Sequence, residues 1–129
     1  MELNQTRILI MDDEVTLRQA VGDMLQMLGY FVEGVDEGQE TIEKYTAALE
    51  AGNPFDIVIM DLTIPGGMGA QETIQRLSAI DPDVNAVVSS GYPDDPVIAN
   101  YKEYGFKGAI VKPFTLRDLR KTLASLTEQ

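Results

Sequence analysis

The chain has 129 residues, of which ten are Lys or Arg and twenty-one are Asp or Glu, so its formal net charge is −11. This length predicts a single domain over residues 1–129, and a hydrophobic fraction of 44% is too high for a disordered chain. The acidic surplus argues against direct binding to nucleic acid, which requires clustered cations. The absence of Cys and His excludes thiol nucleophiles, disulfides, histidine-based zinc sites and a Ser-His triad.

The sequence also lacks membrane and targeting features. No apolar run approaches the roughly 20 residues of a membrane span, and residues 1–5 have neither the charged nor the apolar part of a signal peptide. We therefore expect a cytoplasmic domain without membrane contact. Any chemistry must rest on carboxylates, hydroxyls or lysine.

Short apolar runs alternate with longer amphipathic stretches along the chain. Five runs predict β-strands, in chain order at residues 8–11, 30–35, 57–60, 86–88 and 109–111. Apolar residues at helical spacing predict five helices, at about residues 17–28, 42–49, 74–80, 95–104 and 116–126. Gly29, Gly52 and Gly105 follow three of these helices as stop signals, and Thr115 with Asp118 has the spacing of a capping box before the last.

This alternation predicts a doubly wound (βα)5 sandwich with a five-stranded parallel sheet, because unbroken β-branched runs suit strands that are covered on both faces. A flavodoxin-like strand order of 2-1-3-4-5 would place the first and third strands side by side. Ligands of such sheets bind outside the carboxyl ends of the strands. We predict core packing for Met11, Met24, Met27 and Met60, and packing against the sheet rather than partner docking for Tyr101, Tyr104 and Phe106.

The candidate chemistry lies where the apolar runs end. Asp12 and Asp13 follow the first run, Asp61 the third, Ser89 and Ser90 the fourth, and Lys112 the fifth. Three carboxylates meeting at one sheet edge cannot all stay ionised without compensation. A hard cation such as Mg²⁺ would compensate them, and Lys112 would add a fixed positive charge.

The ordered set resembles the receiver (phospho-acceptor) domain of two-component response regulators, from about Arg7 to Leu126. The matching positions are Asp12-Asp13, Asp61 with Pro65 and Gly69, Ser90-Gly91 and Lys112-Pro113. Each motif alone would be an ordinary solvated turn or surface residue. The complete set, placed at successive strand ends, is specific for the receiver family. Residues 90–95 and 104–106 look most similar to receivers attached to hybrid histidine kinases.

The resemblance implies a phosphorylation site. Asp61 would accept a phosphoryl group from the phosphohistidine of a histidine kinase or phosphotransfer protein, as a signalling step and not as an enzyme. Asp12, Asp13, Asp61 and the backbone carbonyl of Thr63 would bind Mg²⁺, or Mn²⁺ in its place. Lys112 would pair with the phosphoryl oxygens, and Pro113 would follow a cis peptide bond. A weak homodimer through the fourth helix, fifth strand and fifth helix is compatible with the family.

Three positions bear on the output of such a site. Ser90 would donate its hydroxyl to the phosphoryl group, with Ser89 as an alternative at a less suitable spacing from Lys112. Thr63 and Tyr92 would border the phosphate and tune its lifetime. Ala109 stands where many receivers have a switchable Tyr or Phe, so an aromatic rotamer switch is not expected there.

Two other functions are weaker alternatives. A Mg²⁺-dependent aspartyl phosphatase of the dehalogenase type would want a second acid two residues after the nucleophile, where Thr63 stands. A flavodoxin-type cofactor binder would want a hydroxyl- and glycine-rich phosphate loop after the first strand. Asp12, Asp13 and Glu14 would instead repel an anionic cofactor.

Overall fold

A computed structural model describes residues 5–127, the last of them for its backbone only. The first four residues, part of the N-terminal stretch predicted to lack a signal peptide, lie outside the described residues. So do the two ends of the predicted domain at residues 1 and 129.

The described chain alternates strands and helices in the predicted order. The strands are β1 (Arg7–Met11), β2 (Phe31–Val35), β3 (Ile57–Asp61), β4 (Ala86–Ser90) and β5 (Gly108–Val111). The helices are α1 (Val15–Met27), α2 (Gly38–Glu50), α3 (Ala70–Ile80), α4 (Pro96–Ala99) and α5 (Leu116–Thr127). A turn of 3-10 helix at Tyr101–Tyr104 follows α4.

The five strands form one parallel sheet of order β2-β1-β3-β4-β5, which confirms the predicted topology. In β3, Ile57 and Ile59 face the core under α1 and α5, whereas Val58 and Met60 face the core under α2, α3 and α4. The central strands are therefore buried on both faces, which is why their sequences are unbroken apolar runs. All five carboxyl ends lie at one edge of the sheet.

The predicted fourth helix is wrong in its extent. Residues 95–104 form the single turn of α4 and then the 3-10 turn, with the break at Asn100 (φ −122°, ψ 40°). The Asn100 side-chain amide donates to the carbonyl of Pro96 at 3.1 Å, and such local side-chain bonds compete with a continuing helix. Phe106 is buried and Tyr101 packs against the core, which confirms sheet packing for these two, while Tyr104 is exposed.

One of the four predicted core methionines is exposed. Met11 and Met60 are buried in the sheet, and Met24, on α1, is partly buried against the core. The side chain of Met27 is 76% exposed. At 100° per residue, Met27 lies on the opposite side of α1 from Val21 and Leu25, so helical phase overrides its hydrophobicity.

Candidate functional site

The predicted site residues lie where the strands end at the shared sheet edge. β1 and β3 are hydrogen-bonded neighbours, and Met11 pairs with Met60 at the end of their register. Asp12 is the first residue after β1, and Asp61 is the last residue of β3. Lys112 follows β5, and its backbone N–H donates to the carbonyl of Ser90 at the end of β4 at 2.8 Å. The sheet topology therefore brings residues from four parts of the sequence to one crevice.

Three carboxylates form the floor and rim of this crevice. Asp12, Asp13 and Asp61 each offer an oxygen within 4.8 Å of the others. Asp12 is 5% exposed and Asp61 8% exposed, whereas Asp13 lies at the surface. Two buried carboxylates and one exposed carboxylate suit a hard divalent cation, because such a cation prefers oxygen ligands and keeps part of its water shell.

Lys112 lies between the two buried carboxylates. Its Nζ is 2.9 Å from Asp12 Oδ2 and 3.2 Å from Asp61 Oδ2. Burial alone would lower the pKa of Lys112, but the bonds and charges of Asp12 and Asp61 outweigh burial and raise this pKa. The ammonium is therefore a permanent positive charge at neutral pH. The Lys112–Pro113 peptide bond is cis, as predicted.

The surroundings of Asp61 raise the pKa of its carboxyl group. Burial and the nearby Asp12 charge raise the pKa of Asp61, although Lys112 and the Thr63 N–H oppose that rise. The Thr63 N–H lies 3.4 Å from Asp61 Oδ1. Asp12 is held on its other side by the N–H of Glu14, which donates to Asp12 Oδ1 at 2.9 Å. The site therefore combines one pre-positioned lysine with more negative charge than that lysine neutralises.

Ser90 ends β4 beside Lys112, to whose backbone N–H its carbonyl is bonded. Its hydroxyl is buried and accepts the backbone N–H of Tyr92 at 3.1 Å, while the Tyr92 side chain is exposed. Ser89 is also buried, and it pairs with Asp61 in the sheet register. The two serines project to opposite faces of the sheet because strand residues alternate. Thr63 is exposed in the loop after β3.

Sequence reasoning missed two residues beside the site. Arg18 Nη1 donates to the backbone carbonyl of Asp12 at 2.8 Å and to Asp36 Oδ1 at 2.5 Å. A signal for Arg18 was present, since it stands at helical spacing from Val21 and Leu25 on the buried side of α1. Asp36 directly follows β2, so it stands at a strand end like the predicted site residues of the other strands.

The chain belongs to the response regulator receiver family, since the model of the response regulator receiver domain matches residues 8–124. It therefore acts in two-component phosphorelay signalling as a phospho-acceptor, through phosphorylation of an aspartate. The acidic cluster is consistent with the divalent-cation binding of this family.

Several known proteins are similar to this chain over most of its length. The chain is 34% identical over 109 residues to the chemotaxis protein CheY of Thermotoga maritima, covering 84% of this chain and 86% of that protein. The structure of CheY4 from Vibrio cholerae superposes with a TM-score of 0.83 at 28% identity, covering 95% of this chain and 99% of that one. The sensor kinase CckA of Brucella abortus is 30% identical over 122 residues, which span 95% of this chain but 12% of the kinase.

No helix among residues 5–127 is long and apolar enough to cross a membrane.

Proposed function

We propose that Asp61 is the phosphoryl acceptor of this receiver and that Lys112 is the cation that pairs with the transferred group. The observation that carries the proposal is the Lys112 ammonium, which bridges the buried carboxylates of Asp12 and Asp61 at 2.9 and 3.2 Å. A lysine in this position is a ready partner for phosphoryl oxygens on Asp61. We infer that the donor of the phosphoryl group is a phosphohistidine of a histidine kinase or phosphotransfer protein.

The chemistry balances without an added oxidant or reductant. A carboxylate oxygen of Asp61 attacks phosphorus, an O–P bond forms and the N–P bond of the phosphohistidine breaks. The electron pair of that bond returns to the imidazole of the donor. The product is an acyl phosphate, which hydrolysis by water returns to the carboxylate and inorganic phosphate.

The acidic residues would hold a divalent cation for this transfer. We infer Mg²⁺, with Mn²⁺ as a substitute, on Asp13, Asp61 and the Thr63 carbonyl, with Asp12 acting largely through bound water. When bound, the cation supplies charge that offsets repulsion between the carboxylates and the phosphoryl oxygens. These residues fit such a cation, which prefers oxygen ligands, because one oxygen from each of the three carboxylates lies within 4.8 Å of the others.

Ser90 would report phosphorylation to the surface. Its hydroxyl accepts the Tyr92 N–H at 3.1 Å, so donating the hydroxyl hydrogen to a phosphoryl oxygen couples the group on Asp61 to the loop after β4. Thr63 and Tyr92 are exposed beside this path, and we infer that they tune the lifetime of the acyl phosphate. Substituting either should alter the rate of dephosphorylation more than the stability of the fold.

The test is incubation with acetyl phosphate and Mg²⁺, followed by intact-mass measurement. We expect one base-labile phosphate on the unmodified chain, none on Asp61→Asn, and a reduced yield on Lys112→Met. Asp94→Asn, which changes an exposed carboxylate in the loop after β4, is the matched control and should be phosphorylated normally. A phosphate that persists in Asp61→Asn would contradict the proposal, and so would the absence of any adduct on the unmodified chain.

A further inference from the structure

Arg18 joins the ends of two strands beside the carboxylate cluster. Its Nη1 atom donates to the backbone carbonyl of Asp12, which follows β1, at 2.8 Å. The same nitrogen is 2.5 Å from Oδ1 of Asp36, which follows β2. One guanidinium therefore bridges a turn that carries two candidate metal ligands and the neighbouring edge strand.

The surroundings of Arg18 hold this bridge in one place. The Arg18 side chain is 19% exposed, and its stem crosses Gly34 in β2 so closely that a Cβ there would lie 2.9 Å from Arg18 Cδ and Nε. The Asp36 backbone is also held, because its N–H donates to Glu40 Oε1 in the first turn of α2 at 2.9 Å, while the Asp36 side chain is 58% exposed. The packing of the Arg18 stem over Gly34 therefore restricts the arginine and directs its guanidinium to the Asp12 carbonyl.

The Asp12 carbonyl matters because it belongs to the Asp12–Asp13 peptide. The Asp12 carboxylate has its own partners in Lys112 and the Glu14 N–H. Asp13 is exposed, and the orientation of its backbone sets the direction of its Cα–Cβ bond. A bond that holds the peptide therefore limits the positions that the Asp13 carboxylate can reach to those of its rotamers about one Cα–Cβ direction.

We propose that Arg18 and Asp36 form a positioning pair for the Asp12–Asp13 turn and thereby strengthen divalent-cation binding there. This inference rests on the proposed function, because it assumes that the turn binds the cation. Groups that orient metal ligands without touching the metal commonly change affinity by about 10- to 100-fold. We expect the lower end of that range, since the turn is also held by the Asp12 N–H, which donates to the Val35 carbonyl at 3.1 Å.

Charge and positioning predict opposite effects for the loss of Arg18. Removing a cation beside a cation site should tighten Mg²⁺ binding if only long-range electrostatics matter. Removing the positioning bond should weaken it. The charge-neutral double variant Arg18→Met with Asp36→Asn removes one charge of each sign and isolates the positioning effect, while Met retains an unbranched stem over Gly34.

The experiment is calorimetric titration of the full chain with Mg²⁺, with urea unfolding of each variant as a check on the fold. We expect the double variant to raise the Mg²⁺ dissociation constant about tenfold. The matched control is Arg76→Met with Glu72→Gln, which removes the exposed ion pair of 2.7 Å on α3 and should leave the dissociation constant unchanged. Arg18→Met alone should also weaken binding, and it provides a second test should the double variant not fold.

The outcomes separate this inference from the function on which it rests. A folded double variant that binds Mg²⁺ within twofold of the unmodified chain would overturn the positioning pair alone, and so would tighter binding by Arg18→Met. An equal loss of affinity in the α3 control would overturn it too. No Mg²⁺ binding by the unmodified chain would contradict the metal site itself, and the inference with it.

Discussion

At the scale of single residues, the surroundings of Asp61 shift its carboxyl toward the neutral form. It is largely buried, Asp12 lies nearby with the same charge, and Lys112 is shared between the two. The net effect raises the pKa of Asp61 above its usual 3.8, with burial as the largest cause. Keeping this proposed acceptor as a carboxylate at neutral pH therefore lowers the stability of the fold.

We expect Asp61→Asn to raise the free energy of unfolding at pH 7 without divalent cations by about 0.5–2 kcal/mol, because asparagine buries no charge beside Asp12. Because folding raises the pKa of Asp61, the stability linked to this group is complete below its ordinary pKa near 3.8 and is lost as pH rises through the folded value. Asparagine does not titrate, so its advantage should shrink as the pH falls toward 4. Urea unfolding between pH 4 and 7 in a chelating buffer measures this.

The matched control for that series is Asp94→Asn, which changes an exposed carboxylate and should show neither the gain nor the pH dependence. A destabilised Asp61→Asn at pH 7, or a gain that does not vary with pH, would show that burial is not the dominant effect on this carboxyl.

At the scale of elements, α2 is tied to α3 and to the loop that follows Asp61. The Gly38 N–H donates to the Met68 carbonyl at 2.9 Å, and the Glu37 carboxylate caps α2 while lying 3.4 Å from the Met68 N–H. A Cβ at Gly38 would lie 2.1 Å from Thr73 Oγ1, so only glycine permits this approach. Farther along α2, the Tyr45 hydroxyl donates to Asp81 Oδ2 at 2.6 Å, just after α3.

Tyr45→Phe should therefore lower the free energy of unfolding by about 1.5–3 kcal/mol, the range for a hydrogen bond to a charged group. Burial and the Asp81 carboxylate raise the pKa of Tyr45 above its usual 10.0, so its contribution is complete below that value and is lost as pH rises through the folded one. The loss in the variant should be constant from pH 7 to 9 in urea unfolding. Tyr104→Phe, at an exposed tyrosine, should be neutral, and equal effects of the two changes would argue against the Tyr45–Asp81 bond.

At the scale of the whole molecule, the net charge of −11 includes three carboxylates that converge at one edge of the sheet. Only the folded state brings them together, because they come from the ends of two strands that are far apart in sequence. A cation that binds this arrangement therefore stabilises the fold by mass action.

We expect Mg²⁺ at about 100 times its dissociation constant to raise the free energy of unfolding by about 2.7 kcal/mol. Asp13→Asn should abolish most of this gain because it removes the exposed ligand, whereas Asp23→Asn, at an exposed site on α1, should retain it. Thermal or urea unfolding at matched NaCl ionic strength separates site binding from general screening. A gain of equal size in Asp13→Asn would place the cation elsewhere.

The sequence predicts features that follow from local periodicity. The buried strands, the stop of α1 at Gly29 and the capping box of α5 are all local, and the last is confirmed by Thr115 and Asp118 bonds of 2.8 and 3.1 Å. The fourth helix was overestimated because the Asn100 side chain competes with the backbone, which hydrophobic spacing does not reveal. Met27 is exposed because helical phase places it away from the core, which its hydrophobicity alone does not show.

The sequence by itself determined the alternating architecture, the excess of negative charge and the residues at the strand ends, because each depends on residue type and spacing along the chain. Tertiary structure alone decided that Lys112 bridges Asp12 and Asp61, that Asp13 stays open while they are buried, and that Arg18 reaches across to Asp36. These contacts join residues from different strands and helices. Their distances depend on sheet register and side-chain packing, which no local pattern encodes.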